Sequence, residues 1–388
     1  MRILFTSLNC LMDPASGAAI SVRTILGLLA ERGHQVLSVT GACFDSAVFP
    51  DEAGMLGWTG FSPRPEMAAW VQYDHGVEHV AHPLGTTRLG ELDKGTVDGL
   101  IETVTRSIDA FDPDVVLTYG GTHFEAPIRS RMRLRGTKVV FYLANPQYTD
   151  AVSFENTDLI LTDSIATQEL YRQRLGLETL VIGKFIRRPE LATGSQRQKN
   201  ITFVNPSYPK GVTLFYRIAE MMTDLQPTAR FLVVESRKGL DAVEEETGLP
   251  FSRFRSIRRI GLQANMASVF ARTHVLLMPS LWHESGGRTA IEALSLGIPV
   301  VASNHGGLPE HLGDGAILCS VPEPLRGNPR LIPPVSAALP WAIALSELWA
   351  DAEYWETRSQ AALQQWEKHD PAPRINLIEQ MLLDLASG

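Results

Sequence analysis

The chain has 388 residues, too long for one ordinary domain and about right for two at roughly 150 residues each. With 44% hydrophobic and 20% charged residues it has the composition of a folded globular protein, not of a disordered or fibrous one. Thirty-five Lys and Arg against 43 Asp and Glu leave a net charge of −8, which argues against a dedicated nucleic-acid binder, because neutralising a phosphate backbone needs a basic face.

The run Met1-Arg2-Ile3-Leu4-Phe5 is broken by Thr6, Ser7 and Asn9 and followed by Asp13, so it reads as a first buried strand and not as a signal peptide. Further short apolar runs predict strands at 34–40, 115–119, 138–143, 159–162 and 180–182. A helix over 18–32 carries Ile20, Ile25, Leu26, Leu28 and Leu29 at helical spacing and ends at Gly33. The segment 41–88 holds Trp58, Phe61, Trp70 and Tyr73 without a clear period. A polar stretch, 187–200, with Pro189, Gly194 and Ser195, separates this half from a second alternation. There the predicted strands are 201–204, 231–235, 254–260, 275–278, 299–302 and 316–318, with helices over 212–223, 266–271 and 288–296. Beyond Ala337 the pattern is helical, with Trp341, Leu345, Leu348 and Trp349, and a last amphipathic segment, 375–385, follows Pro371 and Pro373.

Buried strands alternating with crossover helices predict an α/β fold of doubly wound parallel sheets, here two Rossmann-like domains in tandem. The expected division is 1–186, a linker at 187–200, 201–370, and a C-terminal helix at 371–388 that crosses back to the first domain. Open α/β sheets bind ligands beyond the carboxyl ends of their strands, so the chemistry is expected on loops that follow strands, in a cleft between the domains. The cysteines Cys10, Cys43 and Cys319 are far apart and have no metal-ligand spacing, which predicts a reducing compartment and no structural zinc. No apolar run approaches the ~20 residues of a membrane span, so a cytoplasmic protein with at most peripheral membrane contact is expected.

The most informative segment is Pro279-Ser280-Leu281-Trp282-His283-Glu284-Ser285-Gly286-Gly287-Arg288-Thr289, running from a strand through a glycine pair into a helix. Glycines let backbone N–H groups approach an anion, and a helix start adds unpaired amides and the positive end of its dipole, the makings of a diphosphate cradle. Glu292, about one turn inside, leans back toward the helix start and offers an acceptor suited to a pair of ribose hydroxyls. The plainer alternative is a surface ion pair of Arg288 with Glu292, with Glu284 merely favouring the helix start.

Glu284-x7-Glu292, in the frame of Pro279-Ser280 before it and Gly297-Ile298-Pro299-Val300-Val301-Ala302-Ser303 and Gly306-Gly307-Leu308-Pro309-Glu310 after it, resembles the retaining glycosyltransferases of family 4, which have the GT-B fold. The resemblance implies that Glu292 holds the ribose of a nucleoside diphosphate and that Glu284 lies against the transferred sugar. It implies that amides from Ser285, Gly286, Gly287 and Thr289 hold sugar hydroxyls and the diphosphate. The stretch 300–310 is expected to be mostly architectural. In Phe203-Val204-Asn205-Pro206-Ser207-Tyr208-Pro209-Lys210-Gly211, Lys210 is placed to neutralise a departing diphosphate. The family's Arg five residues earlier is Asn205 here, which leaves Lys210 alone with the helix amides or joined by Arg288 or Arg237.

In Asp13-Pro14-Ala15-Ser16-Gly17, Gly17 either lets a ligand approach a helix start, as the family's glycine-rich turn does, or serves a tight turn. The family's sugar-contacting His aligns with Ala144, so His123 and Asn145 are candidates to fill that place, the alternative being ordinary loop residues. Backbone near 258–261, Ile260 in particular, is expected to hold the base. The cluster Arg129, Arg131, Arg133, Arg135 and Lys138 reads as a solvated face.

The expected reaction is transfer of a glycosyl group from a nucleoside diphosphate sugar, a UDP-sugar by preference, to a small-molecule or glycan acceptor with retention. Front-face displacement is expected, with Lys210, Glu284 and Arg288 as the catalytic set and no metal or cofactor required. The competing readings are a nucleotide-sugar epimerase on the same architecture, a dehydrogenase, disfavoured because no Gly-x-Gly-x-x-Gly occurs, and a non-catalytic two-domain binding protein.

Overall fold

The computed structural model describes residues 1–46, 48–122, 124–192 and 198–387; part of the expected linker, 193–197, lies outside them. The chain forms two compact units, Met1–Phe185 together with the residues from 371 onward, and Ile186–Asp370. Each is built on its own sheet.

In the first unit the strands are β1 (Arg2–Asn9), β2 (Gln35–Cys43), β3 (Ser62–Arg64), β4 (Ala69–Asp74), β5 (Val77–His82), β6 (Val115–Thr118), β7 (Lys138–Leu143), β8 (Leu159–Thr162) and β9 (Leu180–Val181). They line up as β3-β4-β5-β2-β1-β6-β7-β8-β9, parallel except where β4 pairs with β3 and with β5. The helices are α1 (Gly17–Glu31), α2 (Glu52–Trp58), α3 (Lys94–Phe111), α4 (Glu125–Arg135) and α5 (Ile165–Leu175). Strand β1 is buried on both faces, since Ile3 and Phe5 join the core under α1 while Leu4 joins the one under α3 and α4. The unpatterned segment 41–88 contains α2 and the β3–β4–β5 ribbon. The last helix, Pro371–Ser387, places Ile375, Ile378 and Leu382 in the α1 core. Pro371 and Pro373 lie in its first turn, where the missing N–H groups have no intrahelical partner to lose, so the helix starts earlier than its apolar period.

The second unit contains β10 (Ile201–Val204), β11 (Phe231–Val234), β12 (Ile257–Ile260), β13 (Val275–Met278), β14 (Val300–Ser303) and β15 (Ala316–Cys319). They form an all-parallel sheet in the order β12-β11-β10-β13-β14-β15. Its helices are α6 (Val212–Leu225), α7 (Leu240–Thr247), α8 (Ala267–Phe270), α9 (Arg288–Ser295), α10 (Leu308–Leu312), α11 (Glu323–Gly327), α12 (Val335–Ala350) and α13 (Ala352–Glu367); the Pro371–Ser387 helix is α14. The strand expected over 254–260 begins only at Ile257. Phe254 follows a 3-10 turn, Phe251–Arg253, and its ring packs edge-on against Tyr216.

The arginine cluster of α4 is not uniformly solvated. Arg129 is 2% exposed and donates to the Glu155 carbonyl at 2.9 Å with its guanidinium over the Phe141 ring, because its place on the helix faces β7. Arg131 and Arg135 do face solvent, paired with Asp109. No helix among the described residues is long and apolar enough to cross a membrane.

Candidate functional site

The second sheet reverses its strand order between β10 and β13, and loops leaving the carboxyl ends of two such strands flank a natural crevice. These are the loops 205–211 and 279–287. They are locked together: Leu281 N–H and Trp282 N–H donate to the Pro209 carbonyl at 2.8 and 2.9 Å. Gly211, with φ +82°, comes so close that a Cβ would lie 1.9 Å from the Pro279 carbonyl oxygen. The interlock brings Lys210 and Glu284 into direct contact, Lys210 Nζ donating to Glu284 Oε1. Ser280 Oγ donates to the same oxygen at 2.7 Å. The Glu284 carboxylate is largely buried, so it needs this cation and this donor.

Gly287, the residue before α9, has φ +62°, and a Cβ on it would lie 2.3 Å from Leu308 Cδ2. The left-handed backbone favours glycine there, and any side chain would also push the Leu308 methyl aside. The residue before α9, Gly287, has no side chain to cap it, and the helix opens with Arg288 and Thr289. Ser285 and Gly286 are buried in the turn before it. The apolar face of α9 buries Ala290, Ile291, Ala293 and Leu294. Arg288 and Glu292 do form an i,i+4 ion pair, but their side chains are only 13% and 8% exposed. This is a buried pair, not a surface one, and such a pair adds little net stability compared with apolar residues of the same volume.

Asn205, standing where the resemblance expects arginine, has φ +61°. Asparagine tolerates this left-handed backbone better than most residues, and its carbonyl accepts from Ser207 N–H at 2.7 Å as the chain turns off β10. Its Oδ1 is buried without a hydrogen-bond donor. Ile260 ends β12; its carbonyl accepts from Glu235 N–H at 2.8 Å and its side chain packs beside Leu232, Val234 and Val269. Arg237 lies exposed in the loop after β11.

In the first unit the strand order reverses between β1 and β6. Gly17 opens α1 behind the cap Ser16, without a left-handed φ and with nothing within 4 Å of where a Cβ would stand. The tight-turn explanation for this glycine therefore fails. Asn145 Oδ1 accepts from Gln147 N–H at 2.9 Å, so that side chain closes its own turn. His123 lies outside the described residues. Beside it in sequence the Tyr119 hydroxyl is buried without a partner, and burial, with Asp45 and Asp13 nearby, raises its pKa well above the ordinary value.

Two further groups follow β14 and β15, His305 on a loop and Arg326 on α11. His305 Nδ1 lies 3.2 Å from Arg326 Nη1, and its ring meets that of His283 edge-on at 5.8 Å between centroids. Burial, then Arg326, hold the His305 pKa below its ordinary value, against an opposing pull from Glu323 and Glu284. A histidine at a strand end was the only signal available in the sequence, and it sits in a stretch that glycine turns explain well. Among the described residues no group of three His, Cys, Asp or Glu side chains is placed to hold a metal ion.

Residues 198–351 match the family described as Glycosyl transferases group 1. A stretch of 50 residues is 48% identical to an uncharacterized 41.2 kDa protein in the cps region of Klebsiella pneumoniae, covering 13% of this chain and 14% of that protein. Similar solved structures include the sucrose-phosphate synthase of Thermosynechococcus elongatus, with TM-score 0.69 and 16% identity over 100% of this chain and 99% of that one. Anabaena HepE in complex with UDP-glucose has TM-score 0.71 and 15% identity over 99% of this chain and 100% of that one. The catalytic domain of starch synthase IV from Arabidopsis thaliana, bound to ADP and acarbose, has TM-score 0.66 and 12% identity over 100% and 99%. At these identities the likeness is one of fold.

Proposed function

We infer that this chain, whose residues 198–351 match the group 1 glycosyl transferases and whose two units have the GT-B fold, is a glycosyltransferase that uses a nucleoside diphosphate sugar. The observation that carries the reading is the contact of Lys210, Ser280 and Glu284 at the switch point of the second sheet, with Arg288 and Glu292 one loop away on α9. A cation, two carboxylates and a helix start behind a glycine turn are what a sugar diphosphate asks of a site. We assign the donor to the second unit and the acceptor to the first. The proposed donor is a UDP-hexose, which HepE, solved with UDP-glucose, supports.

In this scheme Glu292 accepts hydrogen bonds from the ribose hydroxyls, and those donors replace Arg288, whose guanidinium becomes available to the diphosphate. Ile260 backbone faces the base, and Asn205, Ser285 and Thr289 supply polar contacts with Gly286 and Gly287 between them. Glu284 faces the transferred sugar. The bond from the anomeric carbon to the phosphate oxygen breaks with its electron pair going to the phosphate. The acceptor oxygen forms the new bond on the same face and gives its proton to that phosphate oxygen. Lys210, the α9 amides and Arg288 meet the negative charge as it develops.

Water as acceptor makes the stereochemistry testable without knowing the natural acceptor. Slow hydrolysis of an α-linked donor, followed by proton NMR faster than mutarotation, releases the α-sugar first. First appearance of the β-sugar would contradict retention, and absence of any donor turnover would contradict the activity.

A further inference from the structure

The loop after β14, Asn304-His305-Gly306-Gly307, is pressed against the chain at Glu284. Gly306 has φ +62°, and a Cβ there would lie 2.8 Å from the Glu284 carbonyl oxygen and 2.9 Å from its nitrogen. Gly307 N–H donates to that carbonyl at 2.7 Å. This packing explains Gly306, and Gly307 follows it in the same turn. It asks nothing of the residue before them, yet that residue is an imidazole, half-buried, edge-on to His283 and within electrostatic reach of the Glu284 carboxylate.

Its protonation is set by its neighbour. A guanidinium has donors only, so with Arg326 Nη1 3.2 Å away, His305 Nδ1 must accept, and the ring's hydrogen is on Nε2. Arg326 is itself held by an ion pair with Glu323. The result is a neutral imidazole in one tautomer, its donor on the ring edge away from Arg326, at the strand-end loop beside the carboxylate assigned to the sugar.

We propose that His305 is a specificity-determining residue that donates from Nε2 to an oxygen of the transferred sugar, and that Arg326 is the positioning residue that fixes the donating tautomer. The proposal rests on the glycosyl-transfer reading and on Glu284 facing the sugar. It makes the preferred substrate class a sugar bearing a hydroxyl at that edge, because a site built to hydrogen-bond a hydroxyl discriminates against the analogue lacking it.

The test compares binding of UDP, GDP, ADP and dTDP with binding of the glucose conjugate of whichever nucleotide the full-length protein takes. His305→Ala is expected to weaken the conjugate about tenfold relative to the bare nucleotide, the effect of one lost hydrogen bond, with nucleotide affinity unchanged. His305→Gln, which keeps a neutral donor, restores most of the ratio, and Arg326→Met lowers it in the same direction by less. A merely structural role would move both ligands alike. An unchanged ratio in His305→Ala and Arg326→Met, or an equal loss for nucleotide and conjugate, overturns the assignment of His305 while leaving the glycosyl-transfer reading in place. Failure of the wild-type protein to bind any of the four nucleotides overturns both.

Discussion

Lys210→Ala is expected to lower kcat for sugar transfer, or for donor hydrolysis, by about 100- to 1,000-fold, with a much smaller change in the donor KM. The diphosphate carries charge before reaction, but more gathers on the bridging oxygen as the glycosidic bond breaks, and an interaction that strengthens at that moment acts on kcat. Lys210 contacts Glu284 Oε1, on which Ser280 Oγ also converges, and the proposed reaction assigns the developing charge to that lysine. Removing the cation leaves a largely buried carboxylate with the Ser280 hydrogen bond and no paired lysine, so some loss of stability accompanies the kinetic loss. Steady-state kinetics on folded variant, well below its unfolding temperature, separates the two effects. A kcat within threefold of wild type would remove Lys210 from the mechanism.

Gly211→Ala is expected to destabilise the second unit by roughly 2–5 kcal/mol, combining left-handed backbone strain with overpacking. The clash would be with backbone: the Pro279 carbonyl oxygen stands 1.9 Å from the added Cβ. That carbonyl cannot retreat freely, because the next residues of its loop are tied to Pro209. Gly248 provides the comparison within the same unit, with φ +69° and nothing within 4 Å of a Cβ. Gly248→Ala therefore costs only the backbone strain, about 1–2 kcal/mol. Thermal unfolding of the two variants checks the difference, and equal shifts would mean that the loops are not interlocked as described.

Where a strand is buried on both faces, its apolar run marks its ends directly, as in Lys138–Leu143, Leu159–Thr162, Ile201–Val204 and Val275–Met278. The β3–β4–β5 ribbon left no such mark. Its strands lie at the sheet edge with Gln72, Tyr73 and Glu78 among them, and its tight turn uses His75 at φ +47° and Gly76 at φ +78°, not the Asn-Gly or Asp-Gly that announces a hairpin. Glu284, Glu292 and Lys210 could be singled out because their spacing resembles a known pattern, on two strand-end loops and the helix that follows one of them. The partners that define their chemistry could not, because Ser280 to Glu284 and Lys210 to Glu284 are contacts made by the fold. Burial was equally hidden: Arg288 with Glu292 and Arg129 on α4 look like surface charges in one dimension and are enclosed in three. His305 gave no signal beyond its identity, since the role proposed for it depends on Arg326, which follows the next strand.

The central claim is that Glu292 grips the ribose of a nucleoside diphosphate in the second unit. Thermal-shift measurements with UDP, GDP, ADP and dTDP on wild type and Glu292→Ala test it most directly. One nucleotide, UDP on this account, should raise the unfolding temperature of the wild type by about 5 °C or more at a hundredfold excess over its Kd. The same nucleotide should leave Glu292→Ala unmoved. The reading is the shift and not the starting temperature, because Arg288 loses its buried partner in the variant. Equal stabilisation of both proteins by the same nucleotide, or no stabilisation of the wild type by any of the four, would contradict the account.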